Sequence, residues 1–274
     1  MSDHYKRFVF SFCVLTAVVC GWLAGGASPA RADDLGEFLI LGDSITQGAF
    51  NGNHQSYRYR LWQKLIDDGH TFDLVGSHQQ NFNGGNTNDT TSTSTYPDYL
   101  GVPFDNDHEG HWGWQTTDVL GTTSPMFGLA AGSGTLADWT TGYTADTAII
   151  LLGLNDVKIG VDPSITATKN NIQTIIGYLK TDNPDVNVFL GSMLPTANFF
   201  ANQTTLQNLN MAYADIAAND PSVTYVDLWT GASTSLLYDG IHPNTTGEAF
   251  IANRFYSAIE ANSVPEPGSL ALIG

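Results

Sequence analysis

Three short polar blocks, far apart in the chain, hold the residue types of a nucleophilic hydrolytic site: Gly42-Asp43-Ser44, Gly153-Leu154-Asn155-Asp156 and Asp239-Gly240-Ile241-His242. A serine hydroxyl is a poor nucleophile until a base takes its proton. His242 can be that base, and Asp239 can fix its tautomer and stabilise the imidazolium that forms. A tetrahedral intermediate carries an oxyanion, which calls for preorganised donors. The Ser44 N–H, the Asn155 side-chain amide and one glycine N–H are the candidates. Position 46 is Thr, so the first block is not the G-x-S-x-G nucleophile elbow. Taken alone it reads equally well as a strand followed by a helix capped by Asp43 or Ser44. If His242 is the base, activity should rise with pH, because only the neutral imidazole accepts a proton.

A fourth stretch, Asp107 to Thr117, packs two histidines and two tryptophans into a short span. Three readings compete. A metal site from His108, Glu109 and His111 lacks the H-E-x-x-H spacing. Tryptophans filling the core are the plain alternative. The third is a loop bringing a backbone amide and the rings of Trp112 and Trp114 to a sugar-binding cleft, since flat apolar rings with polar edges suit carbohydrate faces. Thr116 or Thr117 can cap the helix that follows.

These blocks need a scaffold that brings them together. The apolar run Phe38 to Leu41 ends at Gly42-Asp43-Ser44, as a buried strand does when it delivers a turn to a sheet edge. Tyr57 to Asp67 reads as an amphipathic helix with Tyr57, Leu61, Leu65 and Ile66 on one face and Arg58, Arg60 and Lys64 elsewhere, ending at Gly69. Strands are expected at Phe72–Gly76, Ala148–Leu152, Val186–Leu190 and Val223–Asp227, and helices at Pro163–Leu179, Leu206–Ala218 and Thr246–Ile259. That alternation predicts an α/β doubly wound sheet of about five parallel strands, with ligands at the strands' carboxyl ends. The polar segment 78–107 is too long for an ordinary connection and reads as a surface insertion, able to close over part of the cleft.

Composition narrows the partners. The net charge is −17 with only 14% charged residues, which argues against nucleic acid or anionic lipid and suits neutral substrates. Lys6 and Arg7, an apolar core from Phe8 to Leu23 and Ala30-Arg31-Ala32 read as a signal peptide over 1–32, with the mature chain starting near Asp33. The expected product is an exported, monomeric bacterial protein without stable membrane insertion. Its removal takes both cysteines, Cys13 and Cys20, and so excludes disulfides and thiolate chemistry. Ten basic residues fall to seven and twenty-seven acidic ones to twenty-six, leaving −19.

The three blocks, in this order and spacing, resemble those of the GDSL, or SGNH, hydrolases over Phe38 to Ala261. The resemblance implies a three-layer, flavodoxin-like domain (33–262), with Ser44 as nucleophile, Asn155 as oxyanion donor and Asp239 and His242 completing a triad. For the glycine block Gly113 fits best, before Trp114-Gln115-Thr116, with Gly110 as the alternative. The His-Glu-Gly-His-x-Gly-Trp stretch is similar to that of secreted carbohydrate esterases of family three, which implies an acetylated polysaccharide as substrate, bound near Asp43, Trp112, Trp114 and Asp156. No obligatory cofactor is implied; members of the family can carry a structural calcium, for which the sequence shows no site. Two other readings stand beside it: a lipid esterase or lysophospholipase on the same scaffold, and a non-catalytic carbohydrate-binding matrix protein. Residues 263–274, from Val264-Pro265-Glu266-Pro267 onward, resemble the start of a PEP-CTERM sorting tail and are expected to lack order.

Overall fold

The computed structural model describes residues 34–49, 56–82, 96–122, 135–159 and 164–263. The signal-peptide reading, the centre of the polar insertion, Pro163 and the sorting-tail reading lie outside the described residues.

The chain runs through β1 (Asp34–Gly42), α1 (Ser44–Gln47), α2 (Tyr57–Asp67), β2 (Thr71–Val75), β3 (Glu109–Gly110), α3 (Thr116–Val119), α4 (Leu136–Trp139), β4 (Thr147–Leu151), α5 (Ile165–Asp182), β5 (Asn187–Gly191), α6 (Gln203–Asn219), β6 (Val223–Val226) and α7 (Thr245–Ser263). The strands form one parallel sheet, five of them in the order β2-β1-β4-β5-β6 and the short β3 paired with β1 off that path. The expected α/β class with about five principal parallel strands is what the chain adopts. Phe38 to Leu41 and Ala148 to Ile150 are buried on both faces, which is why they read as unbroken apolar runs.

Strand order reverses at β1, since the chain moves outward to β2 and later steps the other way through β4, β5 and β6. Right-handed crossovers in opposite directions put the connecting helices on opposite faces. Accordingly α2 packs against α7, while α5 packs against α6. Their apolar stripes face the sheet: Ile172, Ile175, Ile176 and Leu179 on α5, and Leu206, Leu209, Tyr213 and Ile216 on α6. Helix α2 ends as expected, with Gly69 at a φ of 78° and its N–H donating to Ile66 O at 3.0 Å.

Two expectations need correction. Arg58 was expected off the apolar face of α2 but is fully buried. Its guanidinium donates to Thr46 O at 2.8 Å, Gln47 O at 3.3 Å and Asn106 Oδ1 at 2.7 Å, so an ion whose desolvation is costly is met by carbonyls at every edge. Nor are the described ends of segment 78–107 a loose surface excursion. Tyr96 and Phe104 pack on Tyr59 at 4.9 and 5.2 Å between ring centroids, and Asp105 accepts the Leu74 N–H at 2.8 Å. Polar composition concealed a few aromatic anchors spaced too widely to register as a periodic element. No helix among the described residues is long and apolar enough to cross a membrane.

Candidate active site

Strand β1 hands its chain directly to the nucleophile candidate. Asp43 caps α1, its Oδ1 accepting the Ile45 N–H at 2.9 Å, and Ser44 is the helix's first residue. First-turn N–H groups have no intrahelical acceptor. The Ser44 N–H makes no hydrogen bond among the described residues. Helix α1 spans only four residues, so its position depends on its surroundings. Arg58 and the Ser56 Oγ both donate to Thr46 O, at 2.8 and 2.7 Å.

The imidazole arrives from the other end of the chain. After a 3-10 turn at Thr234–Leu236, the Asp239 carboxylate accepts the N–H groups of Ile241 and His242 at 2.9 and 2.7 Å, folding the segment back on itself. Gly240, at a φ of 84°, supplies the left-handed residue this turn needs. The other carboxylate oxygen lies 2.7 Å from His242 Nδ1, and His242 Nε2 lies 2.9 Å from Ser44 Oγ. Burial would raise the Asp239 pKa, but the imidazole and the two backbone N–H groups outweigh it and pull the carboxyl down to about 2. The carboxylate therefore fixes the Nδ1–H tautomer and leaves Nε2 as acceptor for the serine proton. The rings of Trp112 and Tyr238 lie nearly parallel to that of His242, at 4.6 and 5.8 Å.

Asn155 follows β4, the other strand at the reversal point. Its Nδ2 donates to Trp114 O at 3.0 Å and reaches Asp43 Oδ2 at 3.4 Å, which orients the amide beside Ser44. Gly113, with a φ of 78°, has no partner for its N–H among the described residues. The N–H of Gly110 is by contrast committed to His108 Nδ1 at 2.9 Å, and that residue sits inside β3 paired with Gly42. Of the two glycines, only Gly113 retains a free donor. Residues 40–250 match the family described as GDSL-like lipase/acylhydrolase. The chain belongs to that family.

Solved structures agree on the fold. A carbohydrate esterase family 3 protein from Talaromyces cellulolyticus superposes with a TM-score of 0.64 at 24% identity, over 85% of this chain and 98% of that one. A family 3 carbohydrate esterase from Clostridium thermocellum gives 0.59 at 21% identity, over 83% and 98%. An acetyl xylan esterase gives 0.54 at 17% identity, over 81% and 99%. No curated protein sequence matches the chain.

Within this GDSL-family site, several residues expected at the substrate stand elsewhere. Trp114 is fully buried, stacked on His111 at 4.0 Å, and contributes its carbonyl to Asn155 instead of a ring to a cleft. Asp156 is buried and spends its carboxylate on the N–H and Oγ1 of Thr116; burial raises its pKa to about 6 despite those donors. Asp43 is 1% exposed and acts on α1 and Asn155, with burial raising its pKa to about 7. Both aspartates position the site. Trp112 remains half-buried at its edge, stacked on Phe82 at 4.1 Å. Gln115, and neither threonine, is the N-cap of α3.

The histidine-rich stretch holds the core together. His108 accepts from Gly110 N–H through Nδ1 and faces Gln80 O through Nε2 at 3.2 Å, so both ring nitrogens are used. His111 Nε2 meets Glu109 Oε2 at 2.9 Å, and burial pushes this histidine down to about 3 and the glutamate up to about 7. Among the described residues no group of three or more His, Cys, Asp or Glu is arranged to hold a metal ion. Sequence reasoning missed Gln47, Ser56, Arg58 and Glu248. Gln47 Oε1 accepts the Trp112 N–H at 2.8 Å, and Glu248 accepts the Ser56 N–H at 3.1 Å beside the serine and histidine. Polar residues that fix loops carry no spacing signature.

Proposed function

We propose that this chain is an exported serine esterase that removes acetyl groups from a polysaccharide. The observation that carries the reading is the unbroken run of short hydrogen bonds from Asp239 through His242 to Ser44. His242 Nε2 takes the hydroxyl proton as Ser44 Oγ attacks the ester carbonyl. The oxyanion is met by the N–H groups of Ser44 and Gly113 and by the Asn155 N–H that otherwise reaches Asp43 Oδ2 only at 3.4 Å, once it turns to the substrate. Collapse of the tetrahedral intermediate breaks the bond to the sugar oxygen, which receives the proton from His242. Water, deprotonated by the same imidazole, then attacks the acyl-enzyme, and acetate leaves as Ser44 regains its proton.

A short acyl group is supported by the space available. Beside Ser44 and His242 lies a cavity of about 10 Å³, bounded by Ile45, Ala49, Trp112 and Tyr238. Such a space takes one water-sized group. A methyl group approaches that size. The names of the structural neighbours, two carbohydrate esterases of family 3 and an acetyl xylan esterase, point the same way.

The test is a screen for acetate release across acetylated xylan, other acetylated polysaccharides and acetylated peptidoglycan, with the Ser44→Ala protein as blank. It is joined to a chain-length series of p-nitrophenyl esters. Release from at least one polysaccharide and a maximum at the acetyl ester are expected. A maximum at octanoyl would establish the lipid-esterase alternative, and polysaccharide binding without ester cleavage the non-catalytic one.

A further inference from the structure

The connection between β5 and α6 forms a strap joining two of the site's loops. At one end the Ala197 N–H donates to Gly240 O at 2.7 Å. The Phe199 ring rests against the same glycine, close enough that a Cβ there would meet its Cε1 at 3.1 Å. At the other end the Ile159 N–H donates to Phe200 O at 2.7 Å, and Lys158 pairs with Ala201. The strap thereby links the segment that follows Asn155 to the turn carrying Asp239 and His242.

Its outer surface carries exposed apolar side chains. Phe199 is 66% exposed and Ile159 61%, with Tyr238, whose ring lies along that of His242, exposed to 40%. These are three of the few large apolar side chains left in solvent among the described residues, and all three stand on or beside loops of the site. Burying none of them serves the core, and grouped exposed apolar surface beside a site marks a contact face. Residues 195–202, Pro-Thr-Ala-Asn-Phe-Phe-Ala-Asn, carry no charge in a chain of net charge −17. Asn198, also exposed, adds an amide able both to donate and to accept.

We propose that Phe199, resting on Gly240 of the Asp239–His242 turn and assisted by the adjacent Asn198, is a subsite for the neutral sugar backbone that bears the ester. This rests on the esterase reading and names where the alcohol part of the substrate lies. An aromatic face takes the C–H face of a sugar ring, an amide takes its hydroxyls, and an uncharged strap suits a neutral polymer better than a charged headgroup. Continuity with the Asp239–His242 turn sets the subsite on the leaving-group side, where the polymer must remain while its acyl group is transferred.

The test uses the full chain in two arms. In the first, the Ser44→Ala protein is titrated with acetylated xylo-oligosaccharides by calorimetry, alone and with Phe199→Ala added. Binding should weaken about tenfold on loss of the ring and return with Phe199→Trp. In the second, the ratio of kcat/KM on acetylated xylo-oligosaccharides to that on p-nitrophenyl acetate should fall about tenfold in Phe199→Ala, with the pH profile keeping its shape. Equal losses on both substrates, or a displaced pH profile, would show that Phe199 only props the Asp239–His242 turn and would overturn the proposal. So would unchanged oligosaccharide binding, or a loss confined to long-chain esters. Absence of turnover on any ester in the wild-type protein would count against the esterase reading alone, because the binding arm needs no catalysis.

Discussion

At the scale of residues, the account depends on what Asp239 does for His242. Its carboxylate accepts one imidazole and two backbone N–H groups. In Asp239→Asn the amide oxygen can still accept the backbone N–H groups, so the turn survives. The amide nitrogen, however, donates to Nδ1 and forces the proton onto Nε2, the wrong tautomer to receive one from Ser44. We expect kcat on p-nitrophenyl acetate to fall about 10³-fold or more with little change in melting temperature. Activity within tenfold of wild type would show that the carboxylate is dispensable. The same group also contributes to stability in acid. Because the Asp239 pKa is depressed from 3.8 to about 2, its contribution to stability is present above the ordinary carboxylate value and lost as pH falls through about 2. It therefore stays ionised through mildly acidic pH, so a loss of kcat/KM there would not come from protonation of Asp239. The side chains of the proposed triad were legible in the sequence because each sits in a block of fixed composition. Trp114 and Asp156 were misread for a reason that spacing hides: composition shows that a ring or carboxylate is near the site, and only packing shows which way it points.

At the scale of elements, strands and long helices were readable to within a few residues because buried apolar runs and 3.6-residue stripes are local patterns. Of the short elements, the helix capped by Asp43 stood only as one of two readings, and β3 was not foreseen. Helix α1 and strand β3 span four and two residues and owe their existence to contacts made by distant groups. Gly110 shows how tightly these fit, since a Cβ there would meet Gln47 N at 2.5 Å and Gln47 Cα at 2.8 Å, both backbone atoms of α1. Neither can rotate away. Gly110→Ala should cost about 1–3 kcal/mol, a fall in melting temperature of about 2–10 °C, and should reduce kcat by displacing the end of α1 next to Ser44. An unchanged melting temperature with full activity would mean that β3 and α1 are looser than their contacts indicate.

At the scale of the whole molecule, function follows from strand order, which no local pattern contains. The reversal between β1 and β4 opens a crevice at their carboxyl ends, and Ser44 and Asn155 are the residues that those two strands deliver there. Their distance along the chain is no obstacle, because parallel neighbours are joined by long crossover connections in any case. The proposed export belongs to this scale as well. If residues 1–32 are a leader, protein collected outside the cell should begin at Asp33 and, holding no cysteine, melt at the same temperature with and without reductant. An external chain that retains Met1 would contradict the leader. The central claim is that Ser44 and His242, 198 positions apart, meet to perform one reaction. It is tested most directly by the turnover of p-nitrophenyl acetate by Ser44→Ala, in protein whose melting temperature matches wild type. A loss of about 10⁴-fold or more is predicted, and turnover within tenfold of wild type would contradict the account.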